Sequence, residues 1–344
     1  MTKRLPGLID IHVHLREPGA TQKEDFYTAS RAAIKGGFTY LLDMPNNPIP
    51  TFSPQALEEK IQLSKKALCD IGFHYGTDGK NLETFKTAWE NPYVFGLKVY
   101  CNETTGGYMV SDSDVLDAIF SAWDCPKPIL VHAEGNMLPK VIAIAKKYER
   151  RLHICHVSTE EDIRIIRQEK MGYDKLTAGV CPHHLFLTTK DEAMLGNFAL
   201  VKPLLGSVQD QMALWDGLKD GTIDLVESDH APHTIEEKKS NNPPYGMPGL
   251  ETTLGLLFKA VDEAKLTEED IKKFLYDNPK KIFSIPDQED TYIECDPDEL
   301  YKIGEGGYES KCGWSPFAGW EAYGRVSTVV VKGKTVYEEG RFFV

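Results

Sequence analysis

The sequence predicts an α/β protein, a (β/α)8 barrel of the TIM type with a small C-terminal β appendage, and three observations predict it. Eight short apolar runs alternate with longer amphipathic stretches, the signature of parallel strands joined by helices. Polar residues able to bind metal sit at the C-terminal ends of those runs, where such a barrel builds its site. No G-x-G-x-x-G or G-x-x-x-x-G-K-[ST] loop follows the first run, so the rival fold, an open doubly wound sheet, lacks its phosphate cradle.

In order, the runs are GLIDIHVH, FTYLLDMP, CDIGFHYG, VFGLKVYC, PILVHAE, LHICHV, LTAGVCPHH and IDLVESDHAPH. Helical patterns fill the intervals at 23–35, 53–68, 81–90, 111–123, 136–150, 159–170 and 208–219, and another at 250–264 follows the eighth run. Several open on Ser, Thr, Asn or Asp, the residues that cap helix N-termini. After Leu266 come two further helical stretches, an acidic and turn-rich segment at 286–308, and the alternating sequence RVSTVVVKGKTVYEEGRFFV. That last piece reads as a hairpin around a Lys-Gly turn, packed outside the barrel. The expected division is a barrel over 1–285 and an extension over 286–344, with no low-complexity linker between them.

Composition narrows the function. The 344 residues carry 39 Lys and Arg against 52 Asp and Glu, a net charge of −13, which argues against nucleic acid or an anionic membrane as the main partner. No apolar stretch is long enough to span a bilayer and no secretory signal pattern opens the chain, so a cytoplasmic protein is expected. Seven cysteines without a C-x-x-C pair read as reduced thiols.

The chemistry lies at the ends of the runs. His12 and His14 close the first, Asn46 follows the second, Lys98 sits in the fourth, His132 closes the fifth, His156 the sixth and Asp229 the eighth. His12 and His14 are two apart, so an extended strand turns both to one face. Alone, H-x-H is a weak signal and a single histidine is more often a core residue. Four histidines and an aspartate at the ends of distinct strands form a donor set that suits zinc, with manganese, cobalt or iron as alternatives. Lys98, inside the apolar sequence GLKVY, is either one half of a buried salt bridge or a lysine whose amine has become a carbamate able to bridge two metal ions. Arg16, two residues beyond His14, offers a planar fork for a carboxylate.

Taken together, LPGLIDIHVHLREPG, MPN, GLKVYCNET, VHAE, HICHV, PHHLFL, SDHAPHTIEEK, PPYGMPGLET, NPKKIF and QEDTYIE resemble the dihydroorotases of the amidohydrolase superfamily. The resemblance is greatest to the dihydroorotase domain of the animal multifunctional protein of pyrimidine biosynthesis, and it runs through nearly the whole chain in one order. It implies two Zn2+ per chain held by His12, His14, N6-carboxylated Lys98, His132, His156 and Asp229, with a water or hydroxide shared by the two ions as nucleophile. Asp229 is then the catalytic base and acid. The reaction implied is the reversible cyclisation of N-carbamoyl-L-aspartate to L-dihydroorotate. Arg16, Asn46, His233, Lys202, Thr104 and Tyr245 are the implied substrate contacts, the last within a loop over 243–249. The segment 102–108, with hydroxyls and two glycines, is either a hinged lid or a plain turn. A homodimer is expected, with association with other pyrimidine-pathway enzymes as a further expectation. The chain reads either as a stand-alone enzyme or as a domain of a longer polypeptide.

Three positions depart from the pattern. Gly179 stands where relatives usually have an acidic residue, so no third ion is expected. Lys202 replaces an Arg or Asn, and Thr105 an aromatic residue of the animal form. Two rival readings remain, a hydantoinase, dihydropyrimidinase or allantoinase acting on a neutral ring, and a non-catalytic scaffold domain. Arg16 argues against the first, because an uncharged ring gives it nothing to pair with. The complete set of six ligand positions argues against the second.

Overall fold

The computed structural model describes residues 2–104 and 106–343, so the departure expected at Thr105 lies outside the described residues. A short strand, β1 (Lys3–Pro6), precedes eight parallel strands: β2 (Leu8–Val13), β3 (Phe38–Asp43), β4 (Asp70–Gly76), β5 (Val94–Tyr100), β6 (Ile129–His132), β7 (Leu152–Ile154), β8 (Leu176–Val180) and β9 (Leu225–Val226). Each predicted run holds one of the eight, and they pair in consecutive order. The barrel closes where Val13 bridges His230 in parallel and the His14 N–H donates to the His230 carbonyl at 2.8 Å. Strands β7 and β9 are short, since the residues just beyond them adopt left-handed backbone, φ 39° at His156 and 44° at Asp229. Arg16 does the same at φ 65°. Such conformations are costly for side-chain-bearing residues and cluster at functional sites.

Helices run between the strands, among them Phe26–Lys35, Pro54–Ser64, Glu160–Lys170 and Val208–Asp220. The first three begin inside the expected spans because the capping residues Asp25, Ser53 and Thr159 are themselves extended, their side chains accepting from the first free N–H groups, while the fourth begins where expected. No helix among the described residues is long and apolar enough to cross a membrane. All seven cysteines are unpaired.

Two apolar cores result from the strand alternation. One, including Leu41, Phe73, Leu97 and Val131, lies between strands and helices. The other fills the barrel with Ile9, Ile11, Leu42, Leu130 and Leu225, and Ile282, Phe283 and Ile285 plug its N-terminal end. With that end sealed, polar groups collect at the other.

The segment 286–308 is more ordered than its acidity suggests. It contains β10 (Tyr292–Cys295) and β11 (Leu300–Lys302), and β11 pairs with β12 (Glu321–Tyr323). The C-terminal hairpin, β13 (Val326–Val331) and β14 (Lys334–Glu338), turns through Lys332 and Gly333, both at positive φ. With β15 (Arg341–Phe342) these strands make a five-stranded antiparallel sheet in the order β1-β10-β13-β14-β15. Ile293 and Cys295 are fully buried in β10 while Glu294 between them pairs with Arg4, a period of two that the surrounding acids conceal.

A buried ion pair anchors the loop after β3. Lys60 Nζ lies 2.8 Å from Asp43 Oδ2, both side chains fully buried, and donates to the Met44 carbonyl and Asn47 Oδ1. The other Asp43 oxygen accepts from the Leu15 N–H at 2.9 Å, fastening the end of β3 to the end of β2. Lys60→Met should strand the Asp43 charge and lower stability by about 3 to 5 kcal/mol in urea denaturation, as breaking one side of a buried pair does. A loss below about 1 kcal/mol would show that the pair anchors nothing.

Candidate metal centre

The first strand presents its histidines in a fixed tautomer. His12 Nδ1 lies 3.0 Å from Glu227 Oε2, and His14 Nδ1 lies 2.8 Å from Asn46 Oδ1. Each acceptor holds the ring proton on Nδ1 and leaves the Nε2 lone pair free to bind. Both Nε2 atoms face Asp229 Oδ1, at 3.5 Å from His12 and 3.1 Å from His14. Burial above all lowers His14 to about 4, so its ring is neutral at pH 7. Burial opposes ionisation of Asp229, but the neighbouring imidazoles outweigh it and keep the carboxyl well below its usual range. Two imidazole lone pairs and a carboxylate oxygen converging on one point fit a divalent cation.

A second group of donors adjoins the first. His132 Nδ1 and His156 Nε2 are 3.1 Å apart, while Glu134 Oε1 takes the other nitrogen of His132 at 2.8 Å. With that proton held by Glu134, the His132 lone pair points at the His156 ring, a juxtaposition that a cation between or beside them relieves. The His12 and His156 ring centroids are 5.1 Å apart, so the two groups form one cluster. Lys98 is fully buried beside it, its Nζ 3.1 Å from Cys155 Sγ. No carboxylate forms an ion pair with Lys98 among the described residues, and burial pushes the Cys155 thiol up to about 12, so it is no counter-charge. The buried salt bridge weighed for Lys98 is therefore absent.

Beside the donors opens a cleft of about 310 Å3 lined by Arg16, Asn46, Thr104, Lys202 and Tyr245 together with His14 and Asp229. Arg16 is buried, its Nε donating to the Pro232 carbonyl at 3.0 Å, and burial lowers it only to about 10. It stays charged, and no carboxylate of the described residues pairs with it. Lys202 lies over the Tyr245 ring at 5.1 Å. His233 does not line this cleft. It is buried behind Arg16, with Nε2 2.9 Å from the Tyr245 carbonyl and 3.1 Å from Arg16 Nη2, and Nδ1 3.1 Å from Lys23 Nζ. Burial, then the charges of Arg16 and Lys23, hold it well below the usual histidine range. An adjoining hollow takes in Gly106 and Tyr108 of the 102–108 segment, whose Tyr108 hydroxyl donates to the Asn47 carbonyl at 3.3 Å.

Sequence reasoning missed Asp10, Glu134 and Glu227. Asp10 accepts from the His12 and Ser228 N–H groups at 3.1 and 3.2 Å and so joins the first strand to the eighth. Glu227 is an acid inside an apolar run, the signal that singled out Lys98 and that could have found it. Glu134 follows His132 by two residues in VHAE.

The buried rings give the metal-free protein a pH dependence of definite sign. His14 is lowered to about 4 and His74 to about 3, burial being the main cause in each, and His132 and His156 are lowered as well. His14 and His74 stay neutral in the folded chain down to about pH 4 while the unfolded chain takes up protons near pH 6.5. Stability is full above that pH and falls as pH drops towards 4, by about 1.4 kcal/mol per ring per pH unit. Calorimetry of chelator-treated protein should show a melting temperature that declines steadily from pH 7 to pH 5; an unchanged value at pH 5 would refute the assignment.

The Amidohydrolase family pattern matches residues 4–288. The chain is 42% identical over 344 residues to the protein named Multifunctional protein CAD of Squalus acanthias, a match covering 99% of this chain and 15% of that one. It spans a small part of that relative's length. It is 32% identical to the Dihydroorotase of Methanosarcina acetivorans, over 92% of this chain and 78% of that one. Among solved structures, the inactive dihydroorotase-like domain of the Chaetomium thermophilum CAD-like multifunctional protein superposes with a TM-score of 0.84 at 28% identity, covering 100% of this chain and 97% of that one. With a matching barrel, a convergent donor cluster and a family pattern over most of its length, the chain belongs to the Amidohydrolase family.

Proposed function

We propose that the chain is a zinc-dependent dihydroorotase, interconverting N-carbamoyl-L-aspartate and L-dihydroorotate in pyrimidine biosynthesis. The observation that carries this reading is Arg16, a buried guanidinium lining the cleft beside the metal donors with no carboxylate of the described residues paired to it. A buried cation without a counter-ion is costly. A substrate bearing a carboxylate next to its hydrolysable ring supplies the partner, and a neutral ring does not. Lys202 on the same cleft adds positive potential. The identities to the two relatives support the same substrate. A homodimer in the cytoplasm, associated with other pyrimidine-pathway enzymes, belongs to the same reading.

His12, His14 and Asp229 would hold one ion and His132 and His156 the other, with Lys98 between as a carbamate. Once the ammonium of Lys98 has given up one proton, its amine would add to CO2 and lose a second, turning a buried cation with no carboxylate partner among the described residues into an anion suited to two metals. Bound there, the ions supply a water activated at neutral pH and a polarised carbonyl. Asp229, ionised in the cleft, would take a proton from the attacking water and deliver it to the ring nitrogen as the amide opens. In the cyclising direction it removes the proton of the ureido nitrogen. Arg16 orients the substrate carboxylate, and His233, held neutral behind it, keeps the guanidinium in place.

The deciding experiment is turnover of L-dihydroorotate and N-carbamoyl-L-aspartate by zinc-loaded protein, beside dihydrouracil and hydantoin. Preference for a neutral ring would favour the hydantoinase class. Bound zinc with no turnover of any of them would favour a non-catalytic scaffold; the similar Chaetomium domain is named inactive. Arg16→Gln should raise the substrate KM and lower kcat/KM by well over tenfold, the scale of about 2 to 5 kcal/mol for a buried charged contact, with metal content unchanged. Unchanged kcat/KM would reject Arg16 as the carboxylate reader. Asp229→Asn keeps a carbonyl oxygen for the metal but cannot take the proton, so turnover should fall by up to ~10⁴-fold in both directions while most metal stays bound. In the parent, ring opening should weaken at low pH, where the Asp229 carboxylate is protonated, and cyclisation at high pH, because closing the ring consumes a proton as the substrate carboxylate loses an oxygen as water. Near-parental rates in a metal-replete Asp229→Asn protein would show that another group moves the proton.

A further inference from the structure

Glu227 is fully buried, and one carboxylate serves two strands at once. Its Oε2 lies 3.0 Å from His12 Nδ1, and its Oε1 accepts the backbone N–H of His156. The Nε2 of His153, without a hydrogen-bond partner, stands 3.8 Å from Oε2. On the neighbouring strand β8, a Cβ built on Gly179 would fall 2.6 Å from Glu227 Oε1, 2.8 Å from its Cδ and 3.0 Å from Leu225 Cδ1. No real Cβ approaches neighbours so closely, and here the neighbour is held by hydrogen bonds on both oxygens. The carboxylate thus occupies the space that a side chain at 179 would enter.

We propose that Glu227 is the positioning residue of the metal centre, aiming His12 and the His156 backbone with one carboxylate, and that Gly179 is glycine because that carboxylate fills its side-chain space. The Glu227 bond to His12 Nδ1 fixes the ring proton and turns Nε2 towards Asp229. Its bond to the His156 N–H holds the left-handed turn, φ 39°, that brings this ring beside His132. The inference rests on the metal centre of the proposed function and deepens it, but needs no particular substrate.

The geometry supplies its own test. An aspartate on Gly179 places its carboxylate oxygens about 2.4 Å from Cβ, close to where Glu227 Oε1 now lies. Zinc affinity, measured with zinc alone against a competing chelator, is the readout for five variants, with Glu227→Ala as the reference. Glu227→Gln keeps the size but accepts only one of the two bonds, and should bind zinc about 10- to 100-fold more weakly, the range for a lost partner of a ligating histidine. Gly179→Ala should weaken zinc binding too, by driving the carboxylate away. The double variant Gly179→Ala with Glu227→Ala should regain the melting temperature lost in Gly179→Ala while staying weak for zinc. Gly179→Asp with Glu227→Ala should recover affinity to within a few-fold of the parent, the carboxylate having been moved to the other strand. A Glu227→Gln protein with parental affinity, or a Gly179→Asp, Glu227→Ala protein no better than Glu227→Ala alone, would overturn the proposal. A parent protein that bound no zinc would overturn the metal centre and this inference with it. Absence of dihydroorotase turnover in a zinc-binding parent would remove only the substrate assignment.

Discussion

Closure of the first strand onto the eighth is the constraint on which the rest of the molecule depends. Three contacts make it: the Val13–His230 bridge, the Asp10 carboxylate shared between the His12 and Ser228 N–H groups, and the Glu227 carboxylate against His12. All lie within a few residues of three of the candidate metal donors, so the seam of the barrel and the donor cluster are the same structure. Burial pushes Asp10 up to about 7, the sign of a carboxyl kept in an apolar place for its hydrogen bonds. An apolar pair at that position would close a barrel but would leave the two histidines and Asp229 without a shared reference.

The chain as a whole repels anions and its cleft attracts them. A net charge of −13 spread over the surface is screened within about 8 to 10 Å at physiological salt, while Arg16 and Lys202 act from inside the cleft, where screening is weak. On the proposed reading, selection of an acidic substrate is a matter of a few groups inside the cleft and not of the overall charge.

Much of this was legible in the sequence because strand ends in a parallel barrel converge by construction. Once eight runs are counted, the residues closing them must meet, and His12, His14, His132, His156 and Asp229 do. What escaped was of two kinds. Asp10 and Glu227 act through backbone N–H groups and ring nitrogens of other strands, contacts set by tertiary closure that no local pattern records. The strand β10 escaped because its period of two is written in only four residues among acids, and its burial is conferred by partners β1 and β13, almost 290 residues upstream and about 35 downstream. His233 was legible as a nearby residue but not as one standing behind Arg16, since a loop fixes no facing.

The pairing of Lys3–Pro6 with Tyr292–Cys295 has a consequence for how the molecule comes into being. On the ribosome β1 emerges almost 290 residues before its partner, and through that interval its edge is unpaired and the adjoining β2 lacks the neighbour that closes the barrel. Contacts of such sequence separation form late and slowly, and chains that wait for them expose strand edges to other chains. Early helical units can settle as they emerge, but the metal-binding end is completed only after Asp229 and its flanking loop have left the tunnel. On the proposed reading, metal capture is a closing event of folding, and a shortage of the ion during synthesis is felt by the closed barrel and not by its growing parts.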